Sequence, residues 1–249
     1  MSGAAVLDAL AMPPEVRVDR KVAKKLLLEQ GAFASADRRI IQDGLEELNW
    51  IAALKPANIG VPVLRDATRD YGEIVVLTMR PRPAAKARLT ELIHRAIPYP
   101  VFLVTSQGEA VVVTLAHKRF SQGEAGKVVL DGELVGATLP AESALQVDFL
   151  ASLALNIQAA GNLYGLYQGW VERIEALAVA CLTGQFFLPE SPERAVERRA
   201  ALDKHARLER ELARLRVQAG KERQINRRVA WNLEIKTVER SLKDVYNRL

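Results

Sequence analysis

Ile74-Val75-Val76-Leu77-Thr78-Met79, answered further on by Val101-Phe102-Leu103-Val104, is the stretch that decides the fold. Each short β-branched run reads as a buried strand. Pro81 and Pro83 close the first run, and Ala84 to Ala96 carries Leu89, Leu92, Ile93 and Ala96 at helical spacing. Two strands around a helix of this length predict a βαβ unit, with parallel strands and a right-handed crossover. Ser106-Gln107-Gly108-Glu109 then reverses the chain into Ala110 to Ala116, an antiparallel hairpin partner. Lys127-Val128-Val129-Leu130 and Leu134-Val135 offer a further strand or edge. The expectation is an α+β fold, with a small mixed sheet of three or four strands and packed helices over residues 1–140.

Upstream of that unit, residues 1–15 read as a loose start that Pro13-Pro14 interrupts. Arg17 to Phe33 predicts a short helix with Lys24 and Lys25 outside and Val22, Leu26 and Leu27 inside. Ser35 looks like an N-cap, with Asp37 suited to the positive end of the dipole. Ile40, Ile41, Leu45, Leu48, Ile51 and Ala52 then recur at three- and four-residue steps, predicting one amphipathic helix up to Pro56, with Arg38 and Arg39 exposed at its start.

Downstream, residues 141–188 read as a helical connector. Gly161, Gly165 and Gly169 recur every four residues there, either letting two helices approach closely or breaking the element in two. Trp170 to Leu182 is a good helix, with Gly184 as a left-handed cap. Ser191-Pro192-Glu193 starts a basic, coiled-coil-like helical tail over 189–249. One seam runs His205, Leu208, Leu212, Leu215, Ala219; another runs Trp231, Ile235, Val238, Leu242, Val245, Leu249. The twelve-residue step from Ala219 to Trp231 puts them out of frame, so the tail either bends there or folds into an antiparallel hairpin. Narrow apolar seams need a cover in water.

The net charge of +5 is unevenly placed. Ser191 to Leu249 holds 16 Lys and Arg against 9 Asp and Glu, whereas the first 190 residues hold 19 against 21. A basic excess confined to the tail points to an anionic partner. Average apolar and charged shares, 49% and 26%, argue against wholesale disorder. The single cysteine cannot form an internal disulfide. No secretory signal or membrane span is legible, so a cytoplasmic protein without a membrane partner is expected.

Reaction chemistry is hard to find in these residues. His94, His117 and His205 are dispersed, and no zinc, phosphate-loop or nucleophile-elbow pattern occurs, so no catalytic residue, metal ligand or cofactor is assigned. Cys181, beside Val179 and Leu182, reads as a buried inert thiol. Asp70, Glu73, Asp131 and Glu133 border strands, as a metal-dependent nuclease would need, but no lysine follows either pair at strand spacing. His117-Lys118-Arg119 follows a strand directly, with His117 and Arg119 on one side and Lys118 on the other. His94-Arg95, ending the crossover helix, could face the same edge; the alternative is a polar core corner for His117 with both cations in solvent.

Arg20-Lys21-Val22-Ala23-Lys24-Lys25, Ala36-Asp37-Arg38-Arg39, Leu48-Asn49-Trp50 and Leu54-Lys55-Pro56 occur in an order that resembles the bacterial family called domain of unknown function 4391. Glu91 to Val101, with its His94-Arg95-Ala96-Ile97-Pro98-Tyr99-Pro100 core, is the most specific part of the likeness. Leu115 to Arg119, Asn162-Leu163-Tyr164, and Lys221 to Arg227 with Asn232 are similar too. The resemblance implies no activity and no catalytic residues. It implies neighbours among DNA methyltransferase and helicase genes in restriction-like, phage-defence islands.

The expected function is therefore a non-catalytic accessory or assembly subunit of a DNA-targeting complex. Its partner would be a methyltransferase or helicase subunit or a second copy, with DNA as a further candidate. The candidate contacts are Lys24, Lys25, Arg38, Arg39, His94, Arg95, His117, Lys118, Arg119, Arg223, Arg227 and Arg228. A metal-dependent nuclease or phosphodiesterase and a purely structural oligomeriser are the alternatives.

Overall fold

The computed structural model describes residues 3–31, 33–124, 126–141 and 143–249. Two compact units divide the chain, Met1–Ala178 and Val179–Leu249.

The first unit is a mixed α+β assembly around a six-stranded sheet. Its elements begin with α1 (Gly3–Ala9), β1 (Arg17–Lys21), α2 (Lys24–Gln30), α3 (Ser35–Gly44), β2 (Leu45–Leu54) and α4 (Pro56–Ile59). A small hairpin of β3 (Leu64–Arg65) and β4 (Asp70–Tyr71) precedes β5 (Ile74–Pro81), α5 (Arg88–Ala96), β6 (Val101–Gln107) and β7 (Ala110–Leu115). Then come β8 (Lys118–Phe120), β9 (Val128–Leu130), β10 (Val135–Thr138), α6 (Ala144–Ala151) and α7 (Leu163–Thr183). The sheet order is β1-β2-β5-β6-β7-β10, and β8 and β9 pair separately.

The βαβ unit stands where the sequence puts it. β5 and β6 are parallel neighbours, Val75 facing Val101 and Met79 facing Thr105, with α5 between them in sequence. β7 returns antiparallel to β6 after a turn whose Gly108 has a φ of 59°, a left-handed conformation that a side chain would strain. Both faces of this centre are covered, which is why its strands are apolar without alternation. One face (Leu45, Leu48, Val75, Leu77, Val101, Leu103) packs with Leu27, Leu28, Ile41, Leu89, Leu92 and Ile93 from α2, α3 and α5. On the other, Phe102 meets Trp170 of α7 edge-to-face at 5.3 Å, both fully buried.

The sheet is wider than the three or four strands expected, because two strands are disguised in sequence. β2 occupies the second half of the predicted Ser35–Pro56 helix, which ends at Gly44. Register shifts between Leu45/Glu47 and between Trp50/Ala52 are bulges that insert extra residues, so Leu45, Leu48 and Ala52 reach the core at helix-like three- and four-residue steps. β1, whose sequence is Arg-Val-Asp-Arg-Lys, is almost entirely exposed, and its charges suit an edge strand that must not pair further.

Smaller readings are also corrected. The chain start is not loose: α1 buries Val6, and Leu10 follows it into the core. Ser35 lies inside α3, with Ala34 at the cap position and no side-chain cap bond; Leu26 is 45% exposed while Leu27 and Leu28 point inward. Cys181 is exposed with its neighbour Leu182, whereas Val179 and Ala180 are buried, so the expected inert core thiol sits on the outer side of α7. The helical region is broken between α6 and α7. Gly169 is the glycine a close approach requires, because a Cβ there would lie 2.9 Å from Gln158 Oε1.

The second unit contains α8 (Pro192–Lys221) and α9 (Ile225–Tyr246). Ser191 caps α8 by accepting from the Arg194 N–H, with Pro192 in the first turn. The helix ends at Lys221, and Glu222, Arg223 and Gln224 turn the chain, with Glu222 Oε1 accepting from the Gln224 N–H at 2.9 Å. The two out-of-frame seams therefore face each other across a hairpin: Leu212, Leu215, Val238 and Leu242 form its core, flanked by Leu208, Trp231 and Ile235. Arg216 and Glu239 bridge the two helices at 2.9 Å. Among the described residues, no helix is long and apolar enough to cross a membrane.

Candidate interaction surfaces

Three segments distant in sequence converge on His117, just beyond the end of β7. The ring Nδ1 lies 2.5 Å from Tyr71 Oη, and Nε2 lies 2.8 Å from Gln168 Oε1. Gln168 Nε2 in turn donates to Glu172 Oε1 at 2.9 Å, which fixes the amide oxygen toward His117. His117 Nε2 is then a donor, and neutral imidazole leaves Nδ1 as acceptor for the Tyr71 hydroxyl. That hydroxyl also accepts from the Lys118 N–H at 3.3 Å. The result is one directed chain from Tyr71 through His117 and Gln168 to Glu172. Tyr71 is fully buried, and burial raises its phenol above the ordinary range, so the chain begins at a proton that no solute can reach. It fixes the orientations of the rings.

Beside it, Arg69 holds Asp131 through Nε (3.2 Å) and Nη2 (2.9 Å), and Arg119 Nε stands 3.6 Å from the other carboxylate oxygen. Arg69 also lies over the Tyr164 ring at 5.2 Å, and Tyr164 packs against His117 at 5.0 Å. Two guanidiniums share one carboxylate, leaving a half-exposed patch with one surplus positive charge. Deeper in, the Tyr167 hydroxyl lies 2.8 Å from Val101 O and accepts from the Ala116 N–H at 2.9 Å, tying α7 to the ends of β6 and β7.

Lys118 lies on the opposite side of its strand from His117 and Arg119, as alternation requires, but that side is the interior. The lysine is 2% exposed, and its Nζ donates to the carbonyls of His94 and Ile97 at the end of α5. It therefore caps the negative end of that helix. Burial lowers its ammonium to about 7. His94 is fully buried, with Nε2 3.0 Å from Thr114 Oγ1, and burial, aided by the Lys118 charge, lowers its imidazole to about 3. Neither Lys118 nor His94 can meet a partner directly. Arg95, at the same helix end, is exposed and 3.6 Å from Glu91.

The other sequence candidates fall elsewhere. Lys24 donates to Gln42 O at 3.1 Å, Lys25 pairs with Glu29 at 3.8 Å, Arg38 Nη1 donates to Leu28 O at 3.1 Å, and Arg39 is exposed. These four belong to α2 and α3, and none of them bonds to the group around His117 among the described residues. Sequence reasoning missed Tyr71, Arg69, Gln168 and Glu172; Tyr164 carried a signal only as part of the Asn162-Leu163-Tyr164 likeness.

The carboxylates considered for metal chemistry are dispersed. Asp70 pairs with Arg65 at 2.9 Å, Glu73 with Lys55 at 3.2 Å, and Asp131 with Arg69, while Glu133 is exposed. No group of three His, Cys, Asp or Glu side chains that could hold a metal occurs among the described residues.

In the second unit the tip of the hairpin concentrates charge. Lys221, Arg223, Arg227 and Arg228 are exposed, and none has an acidic partner among the described residues. Ile225, Val229 and Leu233 are exposed beside them. At the other end a cavity of about 810 Å³ is lined by Phe187, Leu188, Arg194, Arg198, Lys204 and Arg248, among others. Arg198 donates to Phe187 O at 2.8 Å and lies over the Phe187 ring at 4.3 Å.

No curated protein and no solved structure matches the chain. A family match covers residues 10–242, which takes in the sheet, the group around His117 and most of the hairpin. The chain belongs to the family described as Domain of unknown function (DUF4391).

Proposed function

We propose that the chain is a non-catalytic assembly subunit of a cytoplasmic, DNA-targeting complex of the restriction-like, phage-defence kind, with the hairpin as its contact element. The genomic company of the family resemblance, methyltransferase and helicase genes, supplies the kind of complex. One observation carries the role: the hairpin holds exposed aliphatic side chains beside cations that have no acidic counterpart among the described residues. In the sheet unit, by comparison, Asp70, Glu73 and Asp131 are each matched to a cation. Unmatched charge and uncovered apolar surface are what a subunit leaves for a partner to complete.

Co-expression with the products of neighbouring genes tests this. A methyltransferase or helicase subunit should co-purify with the wild-type chain, and Arg223→Glu/Arg227→Glu/Arg228→Glu should lose it. If the same arginines also hold phosphates, retention of duplex DNA should fall steeply between low and moderate salt. DNA cleavage with magnesium or manganese, abolished by Glu73→Ala or Asp131→Ala, would replace this reading with a nuclease. A concentration-dependent mass for the chain alone, with no foreign partner retained, would replace it with a structural oligomeriser.

A further inference from the structure

We infer that the outward face of α9 seats an acidic amphipathic helix supplied by the partner protein. The inference rests on the assembly role proposed above and names the chemistry of the contact. α9 is apolar on two sides. Trp231, Ile235, Val238 and Leu242 face α8. Ile225, Val229 and Leu233 step by four residues along the opposite side and are 68%, 52% and 61% exposed. Lys236 and Arg240 continue that second line by helical periodicity, and Arg228 stands on one flank, with Asn226 and Thr237 on the other. None of the three cations has an acidic partner among the described residues. Of the nearby acids, Glu234 falls toward the α8 side, Glu239 is held by Arg216, and Asp244 stands one turn beyond Arg240 with no ion pair to it among the described residues.

This pattern selects among occupants. The stripe is one side chain wide, the width that a single helix covers and narrower than the broad apolar face of a helix lying in a membrane interface. It also carries none of the aromatic residues that such interfaces favour. Duplex DNA would engage Arg228, Lys236 and Arg240 but leave three aliphatic side chains against phosphates, with no gain from their burial. A second copy placed face to face would set the same cations against each other. A partner helix with apolar residues on its seam and Glu or Asp on its flanks satisfies both features, burying the stripe and neutralising the cations.

The test uses the full chain and a labelled synthetic peptide of about three heptads, Leu on its seam and Glu on both flanks, with a twin carrying Lys on the flanks. The Glu peptide should bind, more tightly at low salt, and the Lys twin should not. Leu233→Asp should weaken binding about tenfold or more, since roughly 1.4 kcal/mol corresponds to a factor of ten. Val147→Asp, at an equally exposed aliphatic position on α6, should leave it unchanged. Helix content by circular dichroism confirms that both variants stay folded. Equal binding of the two peptides, failure of the Glu peptide, or indifference to Leu233→Asp overturns the inference. So does a Leu233-dependent preference for anionic vesicles or duplex DNA. If the peptide fails while the co-purified complex still forms and still depends on Arg223, Arg227 and Arg228, the partner class falls and the assembly role stands. Loss of both removes both.

Discussion

The sheet unit and the helical hairpin solve the same problem, what to do with apolar side chains and charges, in opposite ways. In the sheet unit the centre is sealed on both faces: Phe102, Leu103, Val76 and Leu77 are all fully buried. Several of its buried polar groups are tied down too: Tyr71 to His117, Tyr167 to two backbone segments and Lys118 to the last carbonyls of α5. The hairpin closes only one seam. Its other surfaces keep Val196, Val217, Ile225, Val229 and Leu233 in solvent, at exposures of 52% or more. Under the proposed assembly role, the unit with the sealed centre is the platform and the hairpin, with uncovered aliphatic side chains beside cations, is the contact surface.

Substitutions can break or sharpen that contrast. The largest effect belongs to the sealed centre. Phe102→Ala removes a fully buried ring from its edge-to-face contact with Trp170 and should cost about 3–5 kcal/mol by urea denaturation. Leu233→Asp on the hairpin should leave the denaturation midpoint nearly unmoved, within about 0.5 kcal/mol. Equal losses at the two positions would mean that the outer face of α9 is itself a packing surface.

Next in size is Tyr167→Phe. Removing the hydroxyl orphans the Ala116 N–H and a bond to Val101 O, both buried, and should cost about 1–3 kcal/mol with little change in helix content.

The pH response follows His94. Its pKa in the folded chain is about 3 and its ordinary value is 6.5, so the unfolded chain binds the extra proton between those limits. Lys118, lowered to about 7 from 10.5, adds a separate rise in stability across the alkaline range between those values, while the His94 contribution should be complete above about 6.5 and decline as pH falls from there toward 3. Denaturation midpoints of wild type and His94→Gln across that window check it, and the variant should show the shallower decline. The smallest effect is expected for Glu239→Ala. Its bridge to Arg216 is largely exposed on both sides and contributes about 0–1 kcal/mol, less in salt.

Much of the fold was legible where burial dictated composition. β5, α5, β6 and β7 stand out because strands covered on both faces must be apolar throughout, and the out-of-frame seams of the tail required either a bend or the hairpin that forms. β2 was hidden because its bulges give a strand the spacing of a helix, and β1 because an edge strand advertises charge. The site was less legible, since His117 finds Tyr71 and Gln168 at separations of 46 and 51 residues, which no local pattern encodes. Alternation placed Lys118 on the right side of its strand, but only the position of α5 reveals that this side is the interior. The arginines of the tail were visible as charge. That Arg223, Arg227 and Arg228 have no acidic partner among the described residues became visible only in three dimensions.

The central claim is that contact resides in the hairpin, and a matched pair of charge reversals tests it most directly. Arg223→Glu/Arg227→Glu/Arg228→Glu changes three hairpin cations, and Lys25→Glu/Arg39→Glu/Arg95→Glu changes three exposed cations of the sheet unit by the same amount. Each variant is co-expressed with the neighbouring gene products, and the assembled fraction is measured by size-exclusion chromatography. The hairpin variant should fail to assemble while the sheet variant assembles like wild type. Assembly retained by the hairpin variant and lost by the sheet variant would contradict the account.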